Sequence, residues 1–270
     1  MACSRAAAAY DPARGKVFAL GNAAPSGPLQ LFAGTKRGTA WRSVNGQVAV
    51  PFRPSGAHVF DGDRILLLGG QAVKGDFVPD VIGIHVETGE ASPLPPLPET
   101  IGYRPGCARV GRSIFAASGI VRGVGDRPVT MAVGAGMLDP REGAWQQVPS
   151  LRSGRCAPLC AATGDAREVW VLGGLVEPQE ATRAVDIFDV RGGRWRDGPK
   201  LHRKRAFGHA LWMEGGTKLL VFGNAPRGAQ GLPVDVPEAY FVDGADAMLP
   251  VDIGDAPSRE FECAIVVPYP

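Results

Sequence analysis

The chain has 270 residues, with 29 basic and 27 acidic side chains and a formal charge of +2. So near a balance gives no electrostatic case for nucleic acid or an anionic membrane as partner. Gly (37) and Pro (24) approach a quarter of the chain, yet hydrophobic residues make 45%, a composition that implies many short strands joined by many turns around a core.

No apolar run nears the ~18 residues of a membrane-spanning helix. The alanine run Ala6–Ala9 is too short for a secretory signal and leads into Asp11-Pro12 rather than a cleavage pattern. Five cysteines (Cys3, Cys107, Cys156, Cys160, Cys263) include no CxxC pair, which argues against a disulfide framework or zinc ribbon and for a reduced, cytoplasmic protein.

In chain order, five units share one pattern. The first (1–49) has a small-residue strand from Arg5 to Tyr10, then Val17–Leu20 running into Gly21-Asn22, then Trp41. The second (50–99) has Arg53–His58, Ile65–Leu68 into Gly69-Gly70, and Ile84–Gly89, with Pro93 where the first has Trp. The third (100–152) has Arg104–Ala108, Ile114–Ala117 into Ser118-Gly119, an acidic turn at Asp139, and Trp145. The fourth (153–203) has Arg155–Ala161, Val169–Leu172 into Gly173-Gly174, an acidic turn at Asp189, and Trp195. The fifth (204–258) has Arg205–Ala210, Leu219–Phe222 into Gly223-Asn224, Tyr240–Gly244, and Leu249 in the Trp place. A lone sixth first strand follows Arg259 (259–270). The apolar runs recur at spacings of 48, 49, 55 and 50 residues, too regular for chance.

Arg, a small residue or His, hydrophobics into Gly-Gly, an apolar-Asp turn and then Gly-x-Trp resemble the kelch repeat of the galactose oxidase/kelch-like superfamily. The resemblance covers nearly the whole chain, most strongly Arg155 to Pro199. It implies an all-β, single-domain β-propeller of four-stranded antiparallel blades over residues 1–270. Five blades closed by the C-terminal strand are expected, with a six-bladed or incomplete ring as the alternative.

Antiparallel pairing puts the loops entering each first strand and those leaving each second strand on one face. The leading arginines therefore share a rim with the loops Gln71–Pro79, Val121–Pro128, Leu175–Thr182 and Ala225–Pro233. Arg5, Arg53, Arg104, Arg155, Arg205 and Arg259 are expected around the channel mouth, with Arg122, Arg127 and Arg227 in the loops. Convergent guanidiniums suit carboxylates and phosphates, and kelch proteins use such arginines for acidic peptides. The other reading of each Arg is structural: pairing with an acid of the next blade, or capping loop carbonyls. Lys204, between Arg203 and Arg205, is either a solvated loop or a contact for an acidic partner.

Cys107, Cys160, His209 and Cys263 each precede an alanine of a first strand, and read as small-residue packing rather than a metal site. No metal or cofactor is expected: GxSxG, HExxH and GxxxxGK[ST] are absent, as are the Glu/Asp/His iron cluster and Tyr/Cys/His copper site of related propellers. The expected function is binding of an acidic peptide or protein at the arginine-lined mouth. The alternative is a metal-independent isomerase, lyase or cyclase acting on a small anionic metabolite there, with His209, Glu260 and Glu262 as acid/base candidates.

Overall fold

The computed structural model describes residues 4–11, 13–22, 29–35, 41–48, 50, 57–70, 77–121, 130–177, 180–213, 216–224, 238–243 and 247–251. Their regular secondary structure is almost entirely strand. Sheet 1 is β1 (Ser4–Asp11), β2 (Lys16–Asn22), β3 (Leu29–Thr35) and β4 (Arg42–Val48). Sheet 2 is β5 (Ala57–Phe60), β6 (Arg64–Leu68), β7 (Val81–His85) and β8 (Ala91–Leu94). Sheet 3 begins with β9 (Gly106–Val110) and β10 (Ser113–Ala117); a small hairpin, β11 (Ile120–Val121) and β12 (Thr130–Met131), precedes β13 (Ala135–Asp139) and β14 (Ala144–Val148). Sheet 4 repeats that plan: β15 (Leu159–Ala162), β16 (Glu168–Leu172), the hairpin β17 (Leu175–Glu177) and β18 (Glu180–Ala181), then β19 (Val185–Asp189) and β20 (Arg194–Asp197). Sheet 5 is β21 (Ala206–Met213), β22 (Lys218–Asn224), β23 (Glu238–Asp243) and β24 (Ala247–Val251).

Each four-stranded sheet is an antiparallel meander in chain order, and the two hairpins stand as separate two-stranded sheets. The five sheets coincide with the five sequence units. Two of the segments read as long loops, after Gly119 and after Gly174, carry these hairpins. The expected closing strand, 259–270, lies outside the described residues.

The chain divides into two compact units, with the boundary after Leu97. In the first unit, Phe18, Leu20 and Leu31 of sheet 1 pack with Ile65, Ile84 and Val86 of sheet 2. In the second, sheet 4 is covered on both faces. Ala108, Val110 and Phe115 of sheet 3 meet its Val169, Val171 and Phe188. On the other side Ala161, Trp170 and Leu172 meet Ala210, Leu219 and Tyr240 of sheet 5. A single sheet could not bury both its faces; stacking buries them in pairs. The alanines on the first strands allow the inner strands to approach closely. Farther out, Trp195 fills the wider gap, its ring 5.1 Å from Phe188 and 6.1 Å from Phe115 of the neighbouring sheet. Its Nε1 donates to the Pro149 carbonyl at 2.6 Å.

The acidic turns are asparagine-like loops built on aspartate. Asp189 Oδ1 accepts the N–H groups of Arg191 and Gly192 at 3.1 and 2.9 Å, and Gly193 closes the turn at φ 61. Those backbone bonds, Gly192 first, hold the Asp189 carboxyl below its ordinary value.

The glycine pair joins one sheet to the next. The N–H of Gly174 donates to the carbonyl of Arg205, and that of Gly119 to the carbonyl of Arg155, both at 2.7 Å. A Cβ on Gly173 (φ 59) would run into the Arg205 carbonyl, and one on Gly174 would come within 2.9 Å of the Arg155 Cβ. In sheet 3 the first glycine is replaced by Ser118, held at φ 69. Its hydroxyl accepts the Arg155 N–H at 2.7 Å and reaches the Ala132 and Arg155 carbonyls at 2.9 and 2.8 Å. In the next seam the corresponding bond is direct, from Arg205 N–H to the Thr182 carbonyl at 3.3 Å. The serine thus restores a link that the sheet 3 seam lacks.

Gly173→Ala is expected to destabilise by ~3 kcal/mol or more, because a left-handed backbone cost of ~1–2 kcal/mol adds to a steric collision. Gly143→Ala, at φ 68 with open space where its Cβ would go, should lose only the ~1–2 kcal/mol backbone cost. Urea unfolding of the two variants checks the difference.

Candidate functional site

The entry to a first strand and the exit from a second strand lie side by side, as antiparallel pairing requires. Tyr103 exchanges backbone bonds with Ile120 at 2.8 and 2.7 Å, and Cys156 with Leu175 at 2.8 Å both ways. These contacts bring the segments before β9 and β15 against the segments after Gly119 and Gly174, at one end of the strands of the second unit.

Strand pairing aligns the repeats residue by residue. Cys107 lies opposite Ala116, Cys160 opposite Val171 and Ala210 opposite Val221, each partner two residues before the first position of the glycine pair. His209 is half-buried opposite Phe222, one place before Ala210, and is out of step with Cys107 and Cys160; the expected common level holds for the cysteines and Ala210. Counting back from those positions, Arg155 and Arg205 are equivalent to each other and to Gly102. Arg104 stands two places further on, equivalent to Ala157 and Phe207.

The leading arginines thus divide into two kinds. Arg155 is 2% exposed. Its Nη1 donates to the carbonyls of Val171, Gly173 and Ala184 at 3.4, 3.2 and 3.1 Å, and Nη2 pairs with the buried Asp186. It caps carbonyls and pairs with an acid, the structural role, with the acid on its own sheet rather than the next. Burial pulls the guanidinium down to about 10, so it stays charged at neutral pH. Arg205 is fully buried. Neither presents its side chain on an open rim.

Arg104 is placed differently. Its guanidinium lies 5.1 Å from the Tyr103 ring centre and 5.0 Å from that of Phe207, a cation held between two aromatic faces. It also hydrogen-bonds the Cys156 thiol; burial, the larger effect, pushes that thiol up while Arg104 works against it. Arg104, Ala157 and Phe207 all have left-handed backbone, at φ 57, 50 and 54. They are linked in a row: Ala157 N–H to the Arg104 carbonyl at 2.9 Å, and Phe207 N–H to the Ala157 carbonyl at 3.1 Å. Non-glycine residues in this region are strained by ~1–3 kcal/mol each, and such strain clusters at ligand sites. Phe207 also remains 37% exposed.

A cleft of about 310 Å³ opens beside the β17–β18 hairpin, lined by Glu180, Thr182, Arg183, Lys200 and Lys204 among others. Lys204, read from the sequence as part of a basic run, faces Glu180 there at 3.0 Å.

Of the other expected site residues, Arg5 lies in β1 with only its backbone described. Arg53, Arg122, Arg127, Arg227, Arg259, Glu260 and Glu262 lie outside the described residues. Cys107 and Cys160 sit on neighbouring inner strands, where a Cβ on Gly106 would come within 2.5 Å of Cys160 Sγ. Burial pushes the Cys107 thiol up to about 12 and that of Cys160 well above the ordinary value. Among the described residues no helix is long and apolar enough to cross a membrane.

No family model matches the chain. A stretch of 94 residues is 34% identical to human Kelch-like protein 34, covering 34% of this chain and 14% of that protein. The chain therefore spans about a seventh of this relative. The solved structure of YjhT matches with a TM-score of 0.69 at 12% identity, over 93% of this chain and 84% of the other. That likeness carries the fold alone.

Arg155→Met is expected to cost ~3–5 kcal/mol by leaving Asp186 buried without its cation, and the double variant Arg155→Met/Asp186→Leu should recover part of it. Thermal and urea unfolding of the two variants checks this. The half-buried thiols of Cys107 and Cys160 contribute an alkaline limit. A raised folded-state value contributes stability below the unfolded thiol's ~8.5 and loses it as pH climbs towards the folded value, about 12 for Cys107. Melting temperatures should fall more steeply between pH 9 and 11 in the parent than in Cys107→Ala/Cys160→Ala.

Proposed function

We propose that this chain, a kelch-repeat β-propeller in repeat and fold, is a binding module for an acidic peptide or protein segment. The contact surface is the end of the strands where first-strand entries meet second-strand exits. Arg104 is its anchor, and the single observation that supports this is the guanidinium held between Tyr103 and Phe207 in a row of strained left-handed residues. The two rings fix the cation in place, so a carboxylate meets a donor already ordered and loses less entropy on binding. The exposed part of Phe207 offers apolar contact beside the charge, the pairing of aromatic and arginine that concentrates binding energy. Arg155 and Arg205 support this end from inside the sheets. Arg53, Arg122, Arg227 and Arg259 belong to the same reading by sequence position, as does Arg5.

Fluorescence anisotropy with a labelled Glu-rich dodecapeptide at low salt tests the reading, with a Gln-substituted peptide as control. The parent should bind the acidic peptide at least ~tenfold more tightly than the neutral one, and Arg104→Ala should remove at least ~tenfold, one charge-assisted hydrogen bond's worth. Equal binding of the two peptides, or an unchanged affinity in a folded Arg104→Ala variant, would overturn it.

A further inference from the structure

We propose that the cleft beside the β17–β18 hairpin is a second anion subsite, suited to the dianion of a phosphate monoester. It deepens the reading above but stands on different residues. One wall is formed by the hairpin and the segment after it, Val176 and Glu180 to Ala184; the other is formed by Lys200 and Lys204, on the connection into sheet 5.

Three cations face one carboxylate there. Arg183 donates from Nε to the Leu201 carbonyl at 2.5 Å. That bond fixes the plane of the guanidinium and leaves its two terminal nitrogens without a hydrogen-bond partner among the described residues. Lys200 has no ion pair among the described residues. Lys204 Nζ pairs with Glu180 Oε1 at 3.0 Å, with both side chains about half exposed. Exposed pairs of this kind are weak, so a ligand of higher charge can draw Lys204 away from Glu180.

The count of donors and charges selects the ligand. A single carboxylate would satisfy the arginine fork and leave the lysines to water. A phosphoryl group has three terminal oxygens and close to two negative charges at neutral pH. It can accept two bonds from the Arg183 fork and still meet Lys200 and Lys204 as point charges. The volume, about 310 Å³, lies at the small end of ligand sites and fits one such group with its first few atoms. A phosphorylated side chain of a partner protein and a small phosphorylated metabolite both offer this chemistry.

Isothermal titration at low ionic strength distinguishes them, using O-phospho-L-serine, a phosphoserine decapeptide and glycerol 3-phosphate as probes. The parent should bind all three, and Arg183→Met should weaken them about tenfold or more, the loss expected for a bidentate charge-assisted contact. Glu180→Gln, which removes the internal competitor for Lys204, should tighten them several-fold. Both differences should shrink as salt is raised. Tighter binding of the peptide than of O-phospho-L-serine supports the phosphoprotein source; tighter binding of glycerol 3-phosphate supports the metabolite. Lys200→Met serves as a second loss variant should Arg183→Met melt below the parent. No heat from any probe with either the parent or Glu180→Gln, or unchanged affinities in both loss variants, would overturn the proposal. Arg104→Ala should leave these affinities intact, so this subsite and the acidic-peptide reading fail separately.

Discussion

The second unit depends on one backbone contact: the N–H at the second position of the glycine pair reaching the carbonyl of the arginine that opens the next repeat. For two backbones to meet at 2.7 Å, no side chain can stand between them, and the chain must turn through left-handed space at the same point. The glycines meet both conditions. Once the inner strands are joined this way, the faces of neighbouring sheets are brought together, and alanines close to the seam give way to Phe115, Phe188 and Trp195 farther out. Ser118 shows that the seam tolerates a change of residue when the new side chain supplies the missing hydrogen bond.

A different set of carbonyls explains why the fourth repeat opens on arginine. Where a second strand ends and a third begins, the carbonyls of Val171, Gly173 and Ala184 converge, with Asp186 beside them. A guanidinium has enough donors in one plane to serve all of them, which no ammonium can do. The charge is then held internally and is lost to any ligand. The cation that occupies a different place in its repeat, Arg104, lies between two aromatic rings instead, and it is the one proposed above for recognition. One residue type at one apparent position of the repeat therefore divides between two structural settings.

Much of this was legible in the sequence. The period, the four-strand unit, the glycine pair closing each second strand and the aspartate turns all follow from residue type and spacing, because each is dictated by local backbone geometry. The shared end of first-strand entries and second-strand exits followed from antiparallel pairing alone. The arginine ring was read in the wrong register at one place, and a signal for it was present: Arg104 stands three residues before Cys107, whereas Arg155 stands five before Cys160. His209 was misplaced because it was aligned on the alanine that follows it: Ala210, not His209, stands five residues after its arginine as Cys160 does after Arg155, and the pairing of β21 with β22 puts Ala210 at that level. The pairing of Arg155 with Asp186 and the stacking of Arg104 on Phe207 join residues 31 and 103 positions apart, beyond the reach of any local pattern.

The aspartate turns between third and fourth strands have a practical consequence. The turns at 139–143 and 189–193 are held by their own carboxylates and by backbone bonds within the turn, with exposed residues at their tips. They lie on outer hairpins, away from the glycine seams and from the entries to the first strands. New chain ends or a fused reporter could be grafted at these loops, giving a tethering point on the periphery that leaves the opposite end of the strands, where Arg104 lies, unobstructed.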